Sequence, residues 1–379
     1  MHLVANGDCL MMTTIAHQLK QDEPGCHLTW ATSYKCKQVI ENNPDIDTIW
    51  EITYSDNEHP LHEVFPRVKM IAEERKAEGE FDEIIYSQIF PDNLHHYDGT
   101  TRSSTFRAYP HPVTVEVSPI VHLTKTETVN VSAFAADHSL SNYRQVILCE
   151  CAPASGQSAM TVALMLQLAS DMVKDHHDIL FIISSHIKID SPHPRIIDAS
   201  VLTYRENAEL SKYCHLLLGC SSGITWLLTS PAAKKLNTVQ FLTRTDIPFR
   251  FASVVYDFNY WGLSAGHIME TSAQDPGAMG QIVRAALENF EAARNKYHET
   301  FQPTTKSLAK NIKELFRKYS LRGKDKVAFC MKIFFERNEV SNFSRVYIHF
   351  YRSLLILKIN VKKSFYRTFR PSHPKASKY

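Results

Sequence analysis

The feature that most constrains the fold is an alternation of strand-like and helix-like segments along the first 300 residues. Apolar residues recur at helical spacing in LMMTTIAHQLKQ. Strand-like runs separated by helical ones follow in the order PGCHLTWATS, DIDTIWEI and FDEIIYSQ. The rhythm restarts at VILCEC and continues through HLLLGC and NTVQFLT. Because neighbouring parallel strands are joined by crossover helices, this order predicts two α/β units with parallel sheets.

Three parts with different charge follow from this pattern. We predict a Rossmann-like domain over residues 1–138, a second one over residues 139–300, and a basic, helical, amphipathic extension over residues 301–379. The extension holds 19 of the 42 Lys and Arg residues but 4 of the 40 Asp and Glu residues. A body of charge about −13 therefore precedes a tail of about +15, which indicates a separate role for the tail.

The cysteines and the apolar runs indicate in which cellular compartment the protein works. The 8 cysteines are scattered without a CxxC pair, mostly in apolar runs, as is typical of reduced thiols in a cytosolic protein. Cys149 and Cys151 share a face of one strand, but no further ligand pair has zinc spacing, so we predict no metal site. No signal peptide and no apolar run of ~18–20 residues is seen. These features favour a cytoplasmic protein.

Three loops lie where ligands bind in open α/β sheets, beyond the end of a strand and before a helix. They are ANGD, which contains Asp8, then APASGQS and GCSSG. Small-residue loops that enter a helix offer backbone N–H groups and the positive end of the helix dipole, so the last two predict anion binding. Their candidate donor-binding residues are Ser155, Gly156, Gln157, Ser158, Ser221, Ser222 and Gly223. Plain helix capping by serine is the alternative interpretation.

The loop GCSSG also matches the G-x-S-x-G nucleophile elbow of α/β-hydrolases, with Ser221 as the nucleophile. The strand–loop–helix context fits, and acidic residues and histidines follow downstream. However, no HGGG-type oxyanion segment precedes the loop, and a hydrolase would leave the first α/β unit unexplained. A serine hydrolase stays open as an alternative.

The segment from GDCLMMTTIAHQLKQ through PGCHLTWATS to NNPDIDTIWEI resembles the opening of the heptosyltransferase-type glycosyltransferases. The later segment AELSKYCHLLLGCSSGITWLL is similar to the nucleotide-sugar segment of that family. The resemblance implies a GT-B fold, in which two Rossmann-like domains face each other across a cleft. It also implies inverting, metal-independent transfer from a nucleotide-sugar donor to a glycan or lipid-linked acceptor, without a cofactor.

The resemblance further implies roles for individual residues. Asp8 matches the Gly-Asp carboxylate of the family, the expected general base for the acceptor hydroxyl, although a simple helix cap would also explain it. The N–H groups at Ser222–Gly223 and Gly156–Ser158 would stabilise the leaving diphosphate. Further candidates are Ser184, His186, Tyr204 and Glu206 for the donor, and Arg102 and Arg107 for a phosphorylated or acidic acceptor.

The chain departs from the family pattern at three places. Only MHLVA precedes Asn6, where the family has a full strand. The loop SGQS lacks a lysine, and SSG replaces the Asp-x-Gly of the family, with Trp226 in place of its histidine. The last two departures fall on the donor side. They leave open the sugar, the nucleotide and a further alternative, a non-catalytic nucleotide-sugar-binding protein.

The tail over residues 305–379 mixes aromatic and aliphatic residues with Lys and Arg, a composition that suits an anionic membrane surface. A lipid-linked acceptor in bacterial lipopolysaccharide or surface-polysaccharide biosynthesis would place the enzyme there. We therefore expect a location peripheral to the inner membrane. Contact with a sister subunit in a homo-oligomer and attraction to nucleic acid are the alternatives, and we predict no nucleic-acid partner.

Overall fold

The computed structural model describes residues 1–53, 61–88, 105–153, 156–191, 193–243 and 253–301. These residues belong to one compact unit, Met1–Leu315. Ser155, Arg102 and the tail beyond residue 301 lie outside the described residues, so their proposed roles stay predictions. The domain limits 1–138, 139–300 and 301–379 also stay predictions.

The first elements of the chain alternate as the sequence predicts. They are α1 (Asn6–Asp22), β1 (Thr29–Ser33), α2 (Tyr34–Ile40), β2 (Thr48–Ile52), α3 (Leu61–Ala77) and α4 (Lys125–Asp137). Next come β3 (Gln145–Glu150), α5 (Val162–Asp175), β4 (Ile179–Ser184), β5 (Ile196–Asp198), α6 (Glu206–Leu210), β6 (Leu216–Gly219) and α7 (Gly223–Leu227). The last are β7 (Asn237–Phe241), α8 (Val254–Tyr260), β8 (Ile268–Thr271), α9 (Pro276–Glu288) and α10 (Phe290–Tyr297).

The larger sheet has the strand order β5-β4-β3-β6-β7-β8, and every neighbouring pair is parallel. The predicted α/β class with parallel sheets is confirmed. The chain moves outward from β3 to β5 and then returns to start again at β6, beside β3. The strand order therefore reverses between β3 and β6, the place where open α/β sheets bind ligands.

The smaller sheet pairs β1 with β2 in parallel and is extended by two further segments. Residues 1–4 lie alongside β1, because the His2 N–H donates to Ala31 O and the Ser33 N–H donates to Leu3 O. Their other side contacts the segment FDEIIYSQ, where the Ser87 N–H donates to Met1 O. We predicted a strand over that segment, but it makes too few ladder bonds to be one.

Apolar side chains cover both faces of the larger sheet. Ile147 and Cys149 of β3 point into a core formed with α5, α9 and α10. Val146 and Leu148 point to the opposite face, toward α4 and α6. Glu150 continues this second alternation, because successive side chains of a strand point to opposite faces. Its carboxylate is therefore directed into protein on the α6 and α7 side of the sheet.

Helix α1 is buried on all sides over residues 9–16. Its residues share one core with Trp226 and Leu227 of α7 and with Val254 and Phe258 of α8. The two α/β parts of the chain are therefore in direct contact at this point. Among the described helices, none is long and apolar enough to cross a membrane.

The last helical segment differs from the sequence prediction. The run GAMGQIVRAALENFEAARNKYHETF predicts one long helix, but the structure forms two, α9 and α10. Asn289 separates them with an extended backbone, φ −154° and ψ 101°. Its side chain accepts a hydrogen bond from the Ala292 N–H at 3.0 Å, so the residue acts as the N-cap of α10.

Candidate functional site

The start of α1 lies against α7. Asp8 is in the first turn of α1 and is partly buried. The preceding Ala5 has a φ of 74° and turns the chain into the helix. A Cβ atom on Gly7 would lie 3.3 Å from Cδ1 of Trp226, so the glycine lets the indole ring pack on the helix backbone. This contact holds the start of α1, which carries Asp8, against α7.

The loop between β6 and α7 is held from several sides. The hydroxyl of Tyr204 donates to Gly223 O at 2.5 Å. A Cβ atom on Gly223 would lie 2.9 Å from the Tyr204 ring, so a larger residue there would have to displace the ring. Ser221 has a φ of 52°, in the left-handed region. The structure thus brings together Tyr204 and the Ser221–Gly223 loop, which the sequence predicted separately, and Asp8 lies on the helix that packs against α7.

The sequence analysis missed Glu150, the residue that dominates this loop. It is the last residue of β3 and is 3% exposed. Its Oε1 accepts the N–H groups of Ile224 at 2.8 Å and Thr225 at 3.1 Å. Its Oε2 accepts the N–H groups of Cys220 at 3.0 Å and Ser222 at 3.3 Å, and the Thr225 hydroxyl at 2.6 Å. Of the N–H groups at Ser222–Gly223 that we predicted for the leaving diphosphate, that of Ser222 thus donates to the protein's own carboxylate.

Glu150 belongs to a polar row that crosses the sheet. It pairs in register with Ser184 of β4, while Gly219 pairs with Gln240, and Gln240 with Glu270. Residues in register on parallel strands share a face of the sheet. Gln240 Oε1 accepts the Ser221 N–H at 2.7 Å. Predicted Ser184 lies beside Glu150, whereas the sequence analysis did not single out Gln240 or Glu270.

Glu270 repeats the same arrangement at α8. Its Oε1 accepts the N–H groups of Val254 at 2.6 Å and Val255 at 2.9 Å, and its Oε2 accepts the Ser253 hydroxyl at 2.7 Å. Burial raises the pKa of this carboxyl to about 7, although the three hydrogen bonds work in the opposite direction. The nearby Asp257 adds to the rise. Glu270 is therefore a buried acid that gains its proton near neutral pH.

The second predicted anion loop is docked on the end of β7. The Thr243 N–H donates to Gln157 O at 2.9 Å, and the Gln157 side chain is buried. Gly156 has a φ of 66°, which favours glycine. The Ser158 hydroxyl accepts the Met160 N–H at 3.1 Å. Residues 156–158 thus lie at the same edge of the sheet as the Ser221–Gly223 loop.

Arg205 and Glu206, at the start of α6, are tied to α4. Arg205 is 4% exposed, and its Nε and Nη2 donate to the two carboxylate oxygens of Glu127 at 2.8 and 2.6 Å. Its Nη1 donates to Glu41 O, at the end of α2. Glu206 accepts from Asn130 Nδ2 at 3.0 Å. Its role at the donor stays a prediction, and its carboxylate here fastens α4.

The remaining predicted residues lie further out. His186 is exposed, two residues beyond the end of β4. Arg107 donates to the Tyr260 hydroxyl at 3.2 Å, at the end of α8. Tyr260 is 44% exposed and its ring lies 5.0 Å from that of Trp261. Arg107 therefore lies next to an exposed aromatic ring, while His186 makes no recorded hydrogen bond to the other predicted residues.

Within the described residues, Ser221 has no neighbouring base. The residue is fully buried, and its hydroxyl has no hydrogen-bond partner among the described residues. A hydrolase nucleophile needs a histidine or another base within hydrogen-bond reach. Nor do the described residues contain a cluster of three or more His, Cys, Asp or Glu side chains suited to a metal ion.

Comparison with known proteins gives structural likenesses at low sequence identity. No protein family and no curated protein matches the sequence. The chain is similar to a glycosyl transferase of family 9 from Veillonella parvula, with 14% identity, a TM-score of 0.49, and coverage of 83% of this chain and 96% of that one. It is similar to E. coli ADP-heptose LPS heptosyltransferase II, with 12% identity, a TM-score of 0.46, and coverage of 76% and 98%.

A protein from Listeria monocytogenes assigned as a UDP-N-acetylglucosamine 2-epimerase has 13% identity, a TM-score of 0.47, and coverage of 85% and 96%. The second of the three structures bears the name of the family that the N-terminal sequence resembles. All three TM-scores lie below 0.5, so these likenesses assign no function to this chain.

Proposed function

We propose that the chain is a GT-B-type glycosyltransferase that moves a sugar from a nucleotide-sugar donor to a glycan or lipid-linked acceptor. The observation that supports the proposal is the packing of Gly7 on Trp226, which brings the start of α1, with Asp8 in its first turn, against α7. Helix α7 follows β6 at the reversal of strand order, where open α/β sheets bind ligands. A carboxylate and a donor site are thus supplied by two different α/β parts.

In the proposed reaction, Asp8 is the general base. Its carboxylate takes the proton from the acceptor hydroxyl as that oxygen attacks the anomeric carbon of the donor. The bond from the anomeric carbon to the phosphate oxygen breaks, and the nucleoside diphosphate leaves. The configuration of the anomeric carbon is inverted. Gly156–Ser158 and Tyr204 lie at the proposed donor side, and Arg107 beside Tyr260 suits an acidic acceptor. The proposal includes no metal ion and no cofactor.

The proposed setting is lipopolysaccharide or surface-polysaccharide assembly at the cytoplasmic side of the inner membrane. Its support is the basic composition of residues 301–379, which suits an anionic lipid surface. Binding of the full chain to vesicles with and without anionic lipid, compared with a chain that ends at residue 301, tests this part. Equal binding by the two chains would contradict it.

Substitution of Asp8 by Asn tests the enzymatic role. The donor class is first found from the rise in melting temperature with UDP, GDP, ADP, CMP and their sugars. With that donor, Asp8→Asn should lower the transfer rate by about 10²- to 10⁴-fold. Donor affinity should stay within about twofold, since the base contacts the acceptor. Full transfer by the variant would refute the assignment, and donor binding without transfer by the wild type would favour a non-catalytic binding protein.

A second variant distinguishes the proposed glycosyltransferase from a serine hydrolase. Ser221→Ala should leave ester hydrolysis at the background level of the wild type, because none of the described residues offers this hydroxyl a hydrogen-bond partner. Esterase activity in the wild type that disappears in Ser221→Ala would establish the hydrolase instead.

A further inference from the structure

We propose that Glu150 is a specificity-determining residue, whose carboxylate holds the N–H groups ahead of α7 and keeps phosphate out of that loop. The inference rests on the proposed function, since it concerns where a donor diphosphate binds. Its test measures anion binding rather than transfer, so the two proposals fail separately.

The position of Glu150 is the first reason. It ends β3, and Gly219 ends β6, the two strands between which the strand order reverses. Ligands of open α/β sheets bind in the crevice at such a reversal. In this chain the carboxylate of Glu150 lies at that reversal and accepts the N–H groups ahead of α7.

The number of donors is the second reason. An ionised carboxylate offers about four lone-pair positions. Glu150 accepts four backbone N–H groups and one hydroxyl, all at 2.6–3.3 Å. These groups are therefore already satisfied by an anion. A phosphate placed on the same groups would have to displace Glu150, or to lie beside a second negative charge in a buried site.

The support of the loop is the third reason. The Thr225 hydroxyl, which donates to Glu150, also lies 3.0 Å from Gln240 Nε2 and accepts from it. Gln240 in turn accepts the Ser221 N–H through its Oε1. The absence of a side chain on Gly219 leaves the room for Gln240 and Thr225. The carboxylate is thus held by a connected buried network, and the donor diphosphate is left to the Gly156–Ser158 loop.

Inorganic pyrophosphate is the probe that tests this inference. The proteins are full-length wild type, Glu150→Ala, Glu150→Gln and, as a control for the loss of one acidic charge, Glu209→Ala. Glu209 is a buried acidic residue of α6 that pairs with Lys212 at 2.5 Å. Calorimetry gives the affinity, and hydrogen exchange of a peptide over residues 219–228 reports the N–H groups that Glu150 holds.

In the wild type and in Glu209→Ala, pyrophosphate should add no protection to residues 219–228. In Glu150→Ala the peptide should lose protection, and pyrophosphate should restore it. The affinity should rise at least about tenfold over the wild type, because one hydrogen bond to a charged group is worth that much. A merely structural role for Glu150 would give loss of protection without restoration.

Two outcomes would overturn the inference. One is a folded Glu150→Ala variant that gains no affinity for pyrophosphate. The other is a wild-type protein in which pyrophosphate changes the exchange of residues 219–228, since Glu150 would then yield to phosphate. If Glu150→Ala does not fold, the inference is tested with Glu150→Gln, which keeps the side-chain volume, and with the exchange experiment on the wild-type protein.

Discussion

The stability of the protein should depend on the protonation of Glu270. Its carboxyl has a pKa of about 7 in the folded protein, against an ordinary value of 4.5, because burial disfavours its charged form. The folded state therefore binds the proton more tightly than the unfolded state between these two values. The free energy of unfolding must fall as the pH rises from 4.5 to 7, and this loss is complete above pH 7.

The size of the effect follows from the shift. One pKa unit corresponds to about 1.4 kcal/mol, so the change from 4.5 to about 7 predicts a loss of roughly 3 kcal/mol. The variant Glu270→Gln carries no titrating proton there and keeps an oxygen that accepts the N–H groups of Val254 and Val255. It should therefore lack this part of the pH dependence.

Urea unfolding of both proteins, followed by circular dichroism at pH 5, 6, 7 and 8, measures the difference. Buried His2 and His267, whose pKa values burial lowers to about 3 and about 4, also contribute to the pH dependence. Their contribution has the opposite sign, because it is lost as the pH falls below 6.5. It is common to both proteins and cancels in the comparison.

Relative to the wild type, Glu270→Gln should gain roughly 3 kcal/mol between pH 5 and pH 8. A difference between the two proteins that stays constant over this range would refute the argument. It would mean that Glu270 is ionised throughout or that its surroundings reorganise without cost.

Two further predictions concern packing and charge. Glu127→Gln should destabilise the fold by about 3 kcal/mol, because it leaves the charge of Arg205 buried, while Glu80→Gln, at an exposed pair, should cost under about 1 kcal/mol. Gly219→Ala should cost about 1–3 kcal/mol through crowding, whereas Gly25→Ala, in open space, should be nearly neutral. Urea unfolding checks all four variants.

The controls make these predictions decisive. An equal cost for Glu127→Gln and Glu80→Gln would show that burial of the Arg205 pair contributes nothing. An equal stability of Gly219→Ala and Gly25→Ala would show that Gln240 and Thr225 move without cost, against the connected network described for them.

Much of the parallel sheet could be predicted from the sequence because its central strands are short, apolar runs. VILCEC, HLLLGC and NTVQFLT all lie on strands of the six-stranded sheet. The strands β5 and β8 have three and four residues and include an acidic residue each. Such short segments carry no periodicity, so only their pairing in space identifies them.

The candidate site could be predicted only where backbone chemistry determines it. Asp8 and Gly223 stand at helix starts that the sequence pattern shows directly. The bonds of Glu150 link it to residues 70–75 positions later, and Arg205 is linked to a residue 78 positions earlier. The sequence shows an acidic residue at the end of an apolar strand, but it does not show which residues bind its carboxylate. Tertiary packing brings these partners together.

The core shared by α1, α7 and α8 makes the two α/β parts interdependent. Met12 and Ile15 pack in one cluster with Leu227 and Phe258. A chain cut between the parts would expose both halves of this cluster to water, and each half would lose the burial that stabilises it. The described residues should therefore melt in a single transition, and neither part should be expressed as a stable fragment. Attempts to exchange one part for that of another protein must redesign this contact as well.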